Sequence, residues 1–447
     1  MAAQRIPGIS LAIGRKGRVE YARGYGYRNV AERVQPSAAT TFGIASISKQ
    51  FTAAGVMHLV ERGLLSLDDP LSRFFPRIPG AAVIRIRHLL GHTSGVPGYT
   101  EVPDFDQLSR TIATPEEVVA TVTERAPAFA PEGEWQYGNT NYVLLGSIIE
   151  AVSGESYEDF LSKLIFVPLG LTRTGVADNT TIRENDASCY STYSLGDVEY
   201  AIEWDPSWAF ATGGLYSTVE DLVAWNHALC SGRVISAESY ARMTTSGRLK
   251  DGSDTNYGLG LFLDDLGGLR EVRHSGGLPG FSLINATYPE IELDIVVLSN
   301  IGGIRTYLSI VRPILAILLD RPEIALWQQP KFPASTITKS ELLDPRSWIA
   351  AAREGRIDEL SLEAQFKRFL KPHRRAALER LNLLGELREI ELIDTDRRDP
   401  ETAFAYRAVF EKRVLEASII AVDTGEIRSV SFREWDERRA APGISER

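Results

Sequence analysis

The chain has 447 residues, 44% hydrophobic and 24% charged, with a net charge of -10 and a pI of about 5.3. That is the composition of an ordinary globular protein with room for two or three domains. The acidic balance argues against nucleic acid and anionic membranes as partners, and no apolar run is long enough to span a bilayer.

Two cysteines, Cys189 and Cys230, make neither a metal-type cluster nor a disulfide framework, although one bridge between them is possible. No signal peptide is visible at the front, so the chain as it stands reads as cytoplasmic, or as an exported protein whose first segment is missing.

Residues 9–13 and 19–27 alternate as two strands joined at Gly14-Arg15-Lys16-Gly17, a hairpin turn by composition. The run Phe42-Gly43-Ile44-Ala45-Ser46-Ile47-Ser48-Lys49 then opens a pattern that is apolar on nearly every side until Gly63, which predicts a buried helix. Ser46 and Lys49 lie three apart at its start, so they share a face and can touch. A serine hydroxyl becomes a nucleophile when a base takes its proton, and a lysine serves as that base once burial lowers its pKa. A serine at a helix start is also an ordinary cap, so other stretches have to decide.

Asp69-Pro70 reads as a cap followed by a first-turn proline. His88 and His92 have the i,i+4 spacing of zinc ligands, but Leu89 stands where a metalloprotease helix has Glu and no third ligand is evident. Both read as structural, and no metal or organic cofactor is expected. Thr114-Pro115-Glu116-Glu117 is a capping box opening a helix to about residue 124. Trp135-Gln136-Tyr137-Gly138-Asn139 feeds an apolar helix ending near Gly154, and another amphipathic helix covers 157–166. Residues 180–210 are irregular and rich in aromatics, either a lid or a packed surface loop. Ser217-Thr218-Val219-Glu220 is a second capping box.

Residues 257–263, 271–274, 281–288 and 292–298 read as an antiparallel meander, with a helix over 310–319 to cover it. Strands flanking a large helical insertion imply one antiparallel sheet assembled from both ends of an α+β domain. We expect that domain over residues 1–325 and a Pro-containing linker over 326–340. Residues 341–447, helices and then four strands, form a small α+β domain with no visible chemistry. The charge shifts at the same place. Residues 331–447 hold 22 basic and 22 acidic side chains, so the whole excess of acid belongs to the first part.

Three stretches coincide in function. Ser46 and Lys49 supply a hydroxyl and an amine. Tyr137-Gly138-Asn139 supplies a phenol and an amide before a helix. His274-Ser275-Gly276-Gly277 ends a strand, where glycines let another backbone lie close. In this order they resemble the serine β-lactamase and penicillin-binding protein superfamily, in particular the branch of class C β-lactamases, D,D-carboxypeptidases, D-aminopeptidases and β-lactamase-like esterases. His88-Leu89-Leu90-Gly91-His92-Thr93-Ser94-Gly95, Pro131-Glu132-Gly133 and Ala211-Thr212-Gly213-Gly214-Leu215 extend the likeness over roughly residues 5–320.

The resemblance implies that Ser46 attacks a carbonyl to form an acyl-enzyme, that Lys49 and Tyr137 share the proton transfers, and that the N–H groups of Ser46 and Gly277 form the oxyanion hole. It implies substrate contacts from Asn139, His274 and Gly276. The usual Lys-Thr-Gly of the late strand begins here with His274, which weakens the case for a carboxylated β-lactam. The expected partner is a small ester, amide, D-peptide or β-lactam, with esterase-like hydrolysis first. A D-amino-acid peptidase or β-lactamase, and a sensor that acylates and stalls, are the alternatives. The oligomeric state is open.

Overall fold

The computed structural model describes residues 6–102, 104–178, 185–191, 199–201, 203–302, 306–326, 345–354, 356, 361–362, 381–382, 384–398, 401–422 and 426–434. The expected linker lies outside them except for its first residue, as does part of the irregular stretch expected over 180–210 and most of residues 347–384, where helices were expected.

β1 (Gly8–Arg15) and β2 (Arg18–Gly26) form the expected hairpin. Its tip, Lys16-Gly17, has φ of +52° and +72°, the backbone a tight two-residue hairpin loop requires. β3 (Phe262–Asp265), β4 (Arg270–Leu278), β5 (Phe281–Tyr288) and β6 (Leu293–Ser299) make the meander. The sheet runs β2-β1-β6-β5-β4-β3, with β1 antiparallel to β6, so the two ends of this part of the chain do meet in one sheet.

Helices cover both faces. α1 (Ser48–Glu61), α2 (Asn139–Ser153) and α3 (Val219–Cys230) belong to a core that takes Ala12, Leu283, Val296 and Leu298 from one face. α4 (Arg312–Leu319) packs on the other, over Ile9, Leu11, Ile284, Ile295 and Val297. Successive residues of β5 and β6 therefore fall into different cores, which is why β6 is buried throughout and its stretch 295–298 is apolar at every position.

α1 is the central helix. Eleven of its fourteen residues are buried, and Phe51 stacks on Trp225 of α3 with ring centroids 3.9 Å apart. Burying one such side chain contributes roughly 1.5–3 kcal/mol, enough for packing rather than local propensity to hold the helix.

Four local expectations change. The second helix cap is Thr218, which accepts from Asp221 N–H, while Ser217 ends the short strand Leu215–Ser217. Pro70 is extended and precedes a 3-10 turn, Leu71–Arg73, and the Asp69 carboxylate instead accepts from Ser66 N–H. The strand expected from residue 257 starts at Phe262, and Tyr257, completely buried, makes only an isolated bridge with Phe262. The first capping box forms with both bonds, Thr114 to Glu117 and back, but its helix, Pro115–Ala120, is shorter than expected. Both cysteines are free thiols.

The chain divides into two compact units, Ile6–Ser191 with Tyr200–Trp327, and a smaller one made chiefly of Gln328–Arg447. In the smaller unit, β7 (Leu387–Arg398), β8 (Glu401–Phe410), β9 (Val414–Val422) and β10 (Ile427–Glu434) form an antiparallel sheet in chain order. Phe404, Tyr406, Ala408 and Phe410 alternate onto its buried face against Trp348 and Ile349 of α5 (Pro345–Arg353).

Candidate active site

Ser46 sits in a 3-10 turn, Ala45–Ile47, that runs straight into α1. Ala45 has φ of +49°, a left-handed conformation that costs a non-glycine residue roughly 1–2 kcal/mol. Two glycine segments press on this turn. A Cβ on Gly276 would lie 2.5 Å from the Ile44 carbonyl oxygen, and one on Gly213 3.4 Å from the Ala45 carbonyl carbon. Gly277 differs, since nothing lies within 4 Å of where its Cβ would be. Pairing of β3 with β4 stops at Phe262 and Arg273, so among the described residues no strand covers the outer edge of β4 beyond that point.

Lys49 is completely buried. Its Nζ lies 3.0 Å from Ser46 Oγ, 2.9 Å from Asn139 Oδ1 and 2.7 Å from the Thr212 carbonyl oxygen. None of these is a carboxylate, so burial pushes the amine's pKa well below its ordinary value with no ion pair to offset it. A neutral amine has two N–H groups and one lone pair. Asn139 Oδ1 and the Thr212 carbonyl can only accept, and the Ser46 hydroxyl is the one neighbour able to turn its proton toward the nitrogen. Thr212 Oγ1 also donates to Asn139 Oδ1 at 2.9 Å, which fixes the orientation of that amide.

The Tyr137 hydroxyl is sealed from solvent and forms no hydrogen bond among the described residues. Burial raises its pKa, and the facing Ser46 hydroxyl pulls back more weakly without closing a bond of normal geometry. The phenol is therefore protonated at neutral pH. Lys49 Nζ lies 4.9 Å from the centre of its ring, and Phe262 lies nearly parallel to it at 6.3 Å.

His274 was expected among the substrate contacts. It is 1% exposed, and both of its ring nitrogens are engaged inside the protein. Nδ1 lies 2.6 Å from the Ser275 carbonyl, which can only accept, so Nδ1 carries the proton and Nε2 accepts from the Tyr257 hydroxyl at 3.1 Å. Burial first, then the nearby Lys49, pushes its pKa down to about 3. The ring offers a ligand neither charge nor a free donor. Next to it Arg273 is tied to Asp264 at 2.7 Å and Glu271 at 3.1 Å.

His88 and His92 do not converge. His88 Nε2 meets Glu132 Oε1 at 3.1 Å, whereas His92 Nδ1 accepts from the N–H of Gly138 at 3.2 Å. The helix carrying His88 ends at Leu90, so the i,i+4 face never continues to residue 92.

The structure thus gathers Ser46, Lys49, Tyr137, Asn139, Gly276 and Gly277 at one place, with His274 behind them. Two groups had no sequence signal of their own, the Thr212 carbonyl and the Tyr257 hydroxyl. Thr212 did lie in a motif already noticed, but a backbone carbonyl leaves no mark in residue type. A cavity of ≈ 510 Å³ opens beside Gly43, Gly213 and Leu278, with Trp204 and Phe281 in its walls. Ser46, Lys49 and Tyr137 do not line this cavity.

The Beta-lactamase family model matches residues 1–309. Penicillin-binding protein 4* of Bacillus subtilis (strain 168) is 34% identical over 300 residues, 64% of this chain and 66% of that protein, just under two thirds of its length. Among solved structures, the D-amino acid amidase from Ochrobactrum anthropi SV3 complexed with L-phenylalanine amide has a TM-score of 0.64 at 31% identity, covering 73% of this chain and 96% of that one. The octameric penicillin-binding protein homologue from Pyrococcus abyssi has a TM-score of 0.64 at 25% identity. It covers 97% of this chain and 96% of its own.

Proposed function

This chain belongs to the β-lactamase family, and from that membership we propose that it is a serine hydrolase cleaving an ester or amide bond of a small substrate through acyl-Ser46. The observation that carries the reading is the Lys49 amine, buried among neutral acceptors 3.0 Å from Ser46 Oγ. Lys49 takes the Ser46 proton as Oγ attacks the carbonyl. The N–H groups of Ser46 and Gly277 receive the developing oxyanion. Tyr137 gives its proton to the leaving group, and its phenolate is held by the Lys49 cation beside its ring. Deacylation reverses the transfers: Tyr137 takes a proton from water, and Lys49 returns one to Ser46. Asn139, its oxygen committed to Lys49 and Thr212, presents its Nδ2 to the substrate.

His274 serves this site as a neutral wall. With Arg273 tied to two carboxylates, residues 273–277 of the strand offer no unpaired cation to a substrate carboxylate, so uncharged esters and amides fit better than carboxylated β-lactams. Likeness to a D-amino acid amidase over 96% of that chain favours amino acid amides as a second substrate class.

The test is a panel of p-nitrophenyl acetate and butyrate, D-phenylalanine amide, D-alanyl peptides and nitrocefin, run on wild type and Ser46→Ala. Hydrolysis by wild type that survives unchanged in Ser46→Ala would remove the reading.

The hydrolase domain is residues 1–325, and residues 341–447 form a small α+β domain serving access to the site or self-association. Truncation after residue 326, with assay and light scattering, separates these. Altered activity at unchanged stoichiometry assigns access, and a lowered stoichiometry assigns association. If neither changes, both roles fall.

A further inference from the structure

The segment carrying Tyr137 is clamped from both sides by one residue. Gln136 N–H donates to the His92 carbonyl oxygen at 3.1 Å, and Gly138 N–H donates to His92 Nδ1 at 3.2 Å. Between these two bonds, the His92 ring lies against the Tyr137 ring with centroids 4.4 Å apart. Asn141 Nδ2 donates to the same Nδ1 at 3.1 Å, and its orientation is set in turn by Ser94 Oγ, which donates to Asn141 Oδ1 at 2.6 Å. His92, Ser94 and Asn141 are all buried.

A backbone N–H can only donate, so His92 Nδ1 must be unprotonated and the ring must carry its hydrogen on Nε2. That Nε2 is buried and has no partner among the described residues. An unsatisfied buried donor costs about 1–3 kcal/mol, and the φ of +60° at residue 92 adds strain of similar order. A residue present only to fill space would avoid both costs. What the imidazole supplies in return is an acceptor at the position of Nδ1, aimed at the amide just after Tyr137, and a flat face for the phenol ring.

Resting on the acyl-serine reading above, we propose that His92, oriented by Asn141 and Ser94, is the positioning residue that holds the Tyr137 hydroxyl in reach of Ser46. It touches no reacting atom and acts only through Tyr137.

Two variants that differ in where they place an acceptor test this. His92→Asn puts an amide oxygen close to the position of Nδ1, and asparagine tolerates positive φ better than most residues. His92→Gln carries the same amide one carbon too far. With p-nitrophenyl butyrate we expect His92→Asn to keep kcat within about threefold of wild type. We expect His92→Gln to lose about 10²-fold in kcat with KM nearly unchanged, the scale of a small misplacement.

In a Tyr137→Phe background the difference between the two variants should vanish. A readout independent of activity is the ¹⁹F signal of 3-fluorotyrosine at position 137, expected to move in His92→Gln and to stay near the wild-type shift in His92→Asn. An unmoved signal in both variants, or a kcat loss that persists in the Tyr137→Phe background, overturns the positioning role. Undiminished activity of Ser46→Ala would instead overturn the acyl-serine reading while leaving the ¹⁹F result to stand.

Discussion

The amine of Lys49 donates to the carbonyl oxygen of Thr212 at 2.7 Å, a contact made across 163 residues of sequence. Together with Asn139 Oδ1 it takes two of the amine's N–H groups, so the third position, which is the lone pair once the amine has lost its proton, faces Ser46. A carboxylate in place of either acceptor would hold the amine charged and remove its capacity to accept a proton.

This makes Lys49→Arg an informative replacement. Arginine can donate to Thr212 and Asn139 but does not shed its charge. We expect kcat/KM for p-nitrophenyl butyrate to fall about 10²–10⁴-fold, the size of a general-base contribution. The wild-type profile should also show an acid limb with an apparent pKa below the ordinary lysine range. Activity of Lys49→Arg within tenfold of wild type would exclude Lys49 as the proton acceptor.

His274 predicts an acid-labile fold. Its pKa is about 3 in the folded protein, against 6.5 for the free side chain, so between these values the unfolded chain binds more protons than the native state. Stability contributed at this site is therefore present above pH 6.5 and is lost as pH falls toward 3. Urea unfolding of wild type and His274→Asn at pH 7 and pH 4.5 measures it, and the loss on acidification should be smaller in the variant. Equal losses would mean that other groups control acid stability.

Asp294 acts in the opposite sense. It is 4% exposed, and burial pushes its pKa up to about 6, with Thr287 and Asn226 partly opposing the shift. The folded state holds this proton more tightly than the unfolded chain, so stability is greatest below about 3.8 and declines as pH rises through 6. Asp294→Asn keeps an oxygen for the Thr287 hydroxyl, which donates to Asp294 Oδ1 at 2.8 Å, and removes the buried charge. We expect a gain of about 1–3 kcal/mol at pH 8, shrinking at pH 4, in chemical denaturation. A gain that does not vary with pH would refute the charge argument.

Gly276 and Gly277 are adjacent in sequence but face different surroundings. The Gly276 position has the Ile44 carbonyl 2.5 Å away, and that atom belongs to the backbone leading into Ser46. Gly276→Ala should cost about 1–3 kcal/mol and lower kcat by roughly 10²-fold as the turn shifts. Gly277→Ala meets open space and should change stability by less than about 0.5 kcal/mol. Denaturation midpoints of the two variants decide the matter, and equal destabilisation would sink it.

Much of this site was legible because its parts are local patterns. The hairpin at Lys16-Gly17, the capping box at Thr114 and Glu117, and the buried helix after Ser46 all follow from periods of two and 3.6 and from turn chemistry within a few residues. The errors were local too. Ser217 and Thr218 are both competent caps, and only strand pairing of Leu215–Ser217 assigned the cap to Thr218. Tyr257 has strand propensity, yet its hydroxyl is drawn inward to His274.

By itself, then, the sequence determined which residues could do the chemistry, the order in which they occur and the elements that carry them. Those are properties of side-chain type and short-range spacing. Only the tertiary structure decided the states in which these groups operate. The pKa of Lys49 is driven down because the packed chain buries it completely, with two distant segments supplying neutral acceptors and no carboxylate to offset the loss of water. His274 is neutral because burial, and after it the nearby Lys49, disfavours its charged form, and the Tyr137 segment is tied to a histidine 45 residues before it. Desolvation and hydrogen-bond partnership depend on what the packed chain brings within about 3 Å, and a carbonyl oxygen or an excluded solvent molecule has no letter in the sequence.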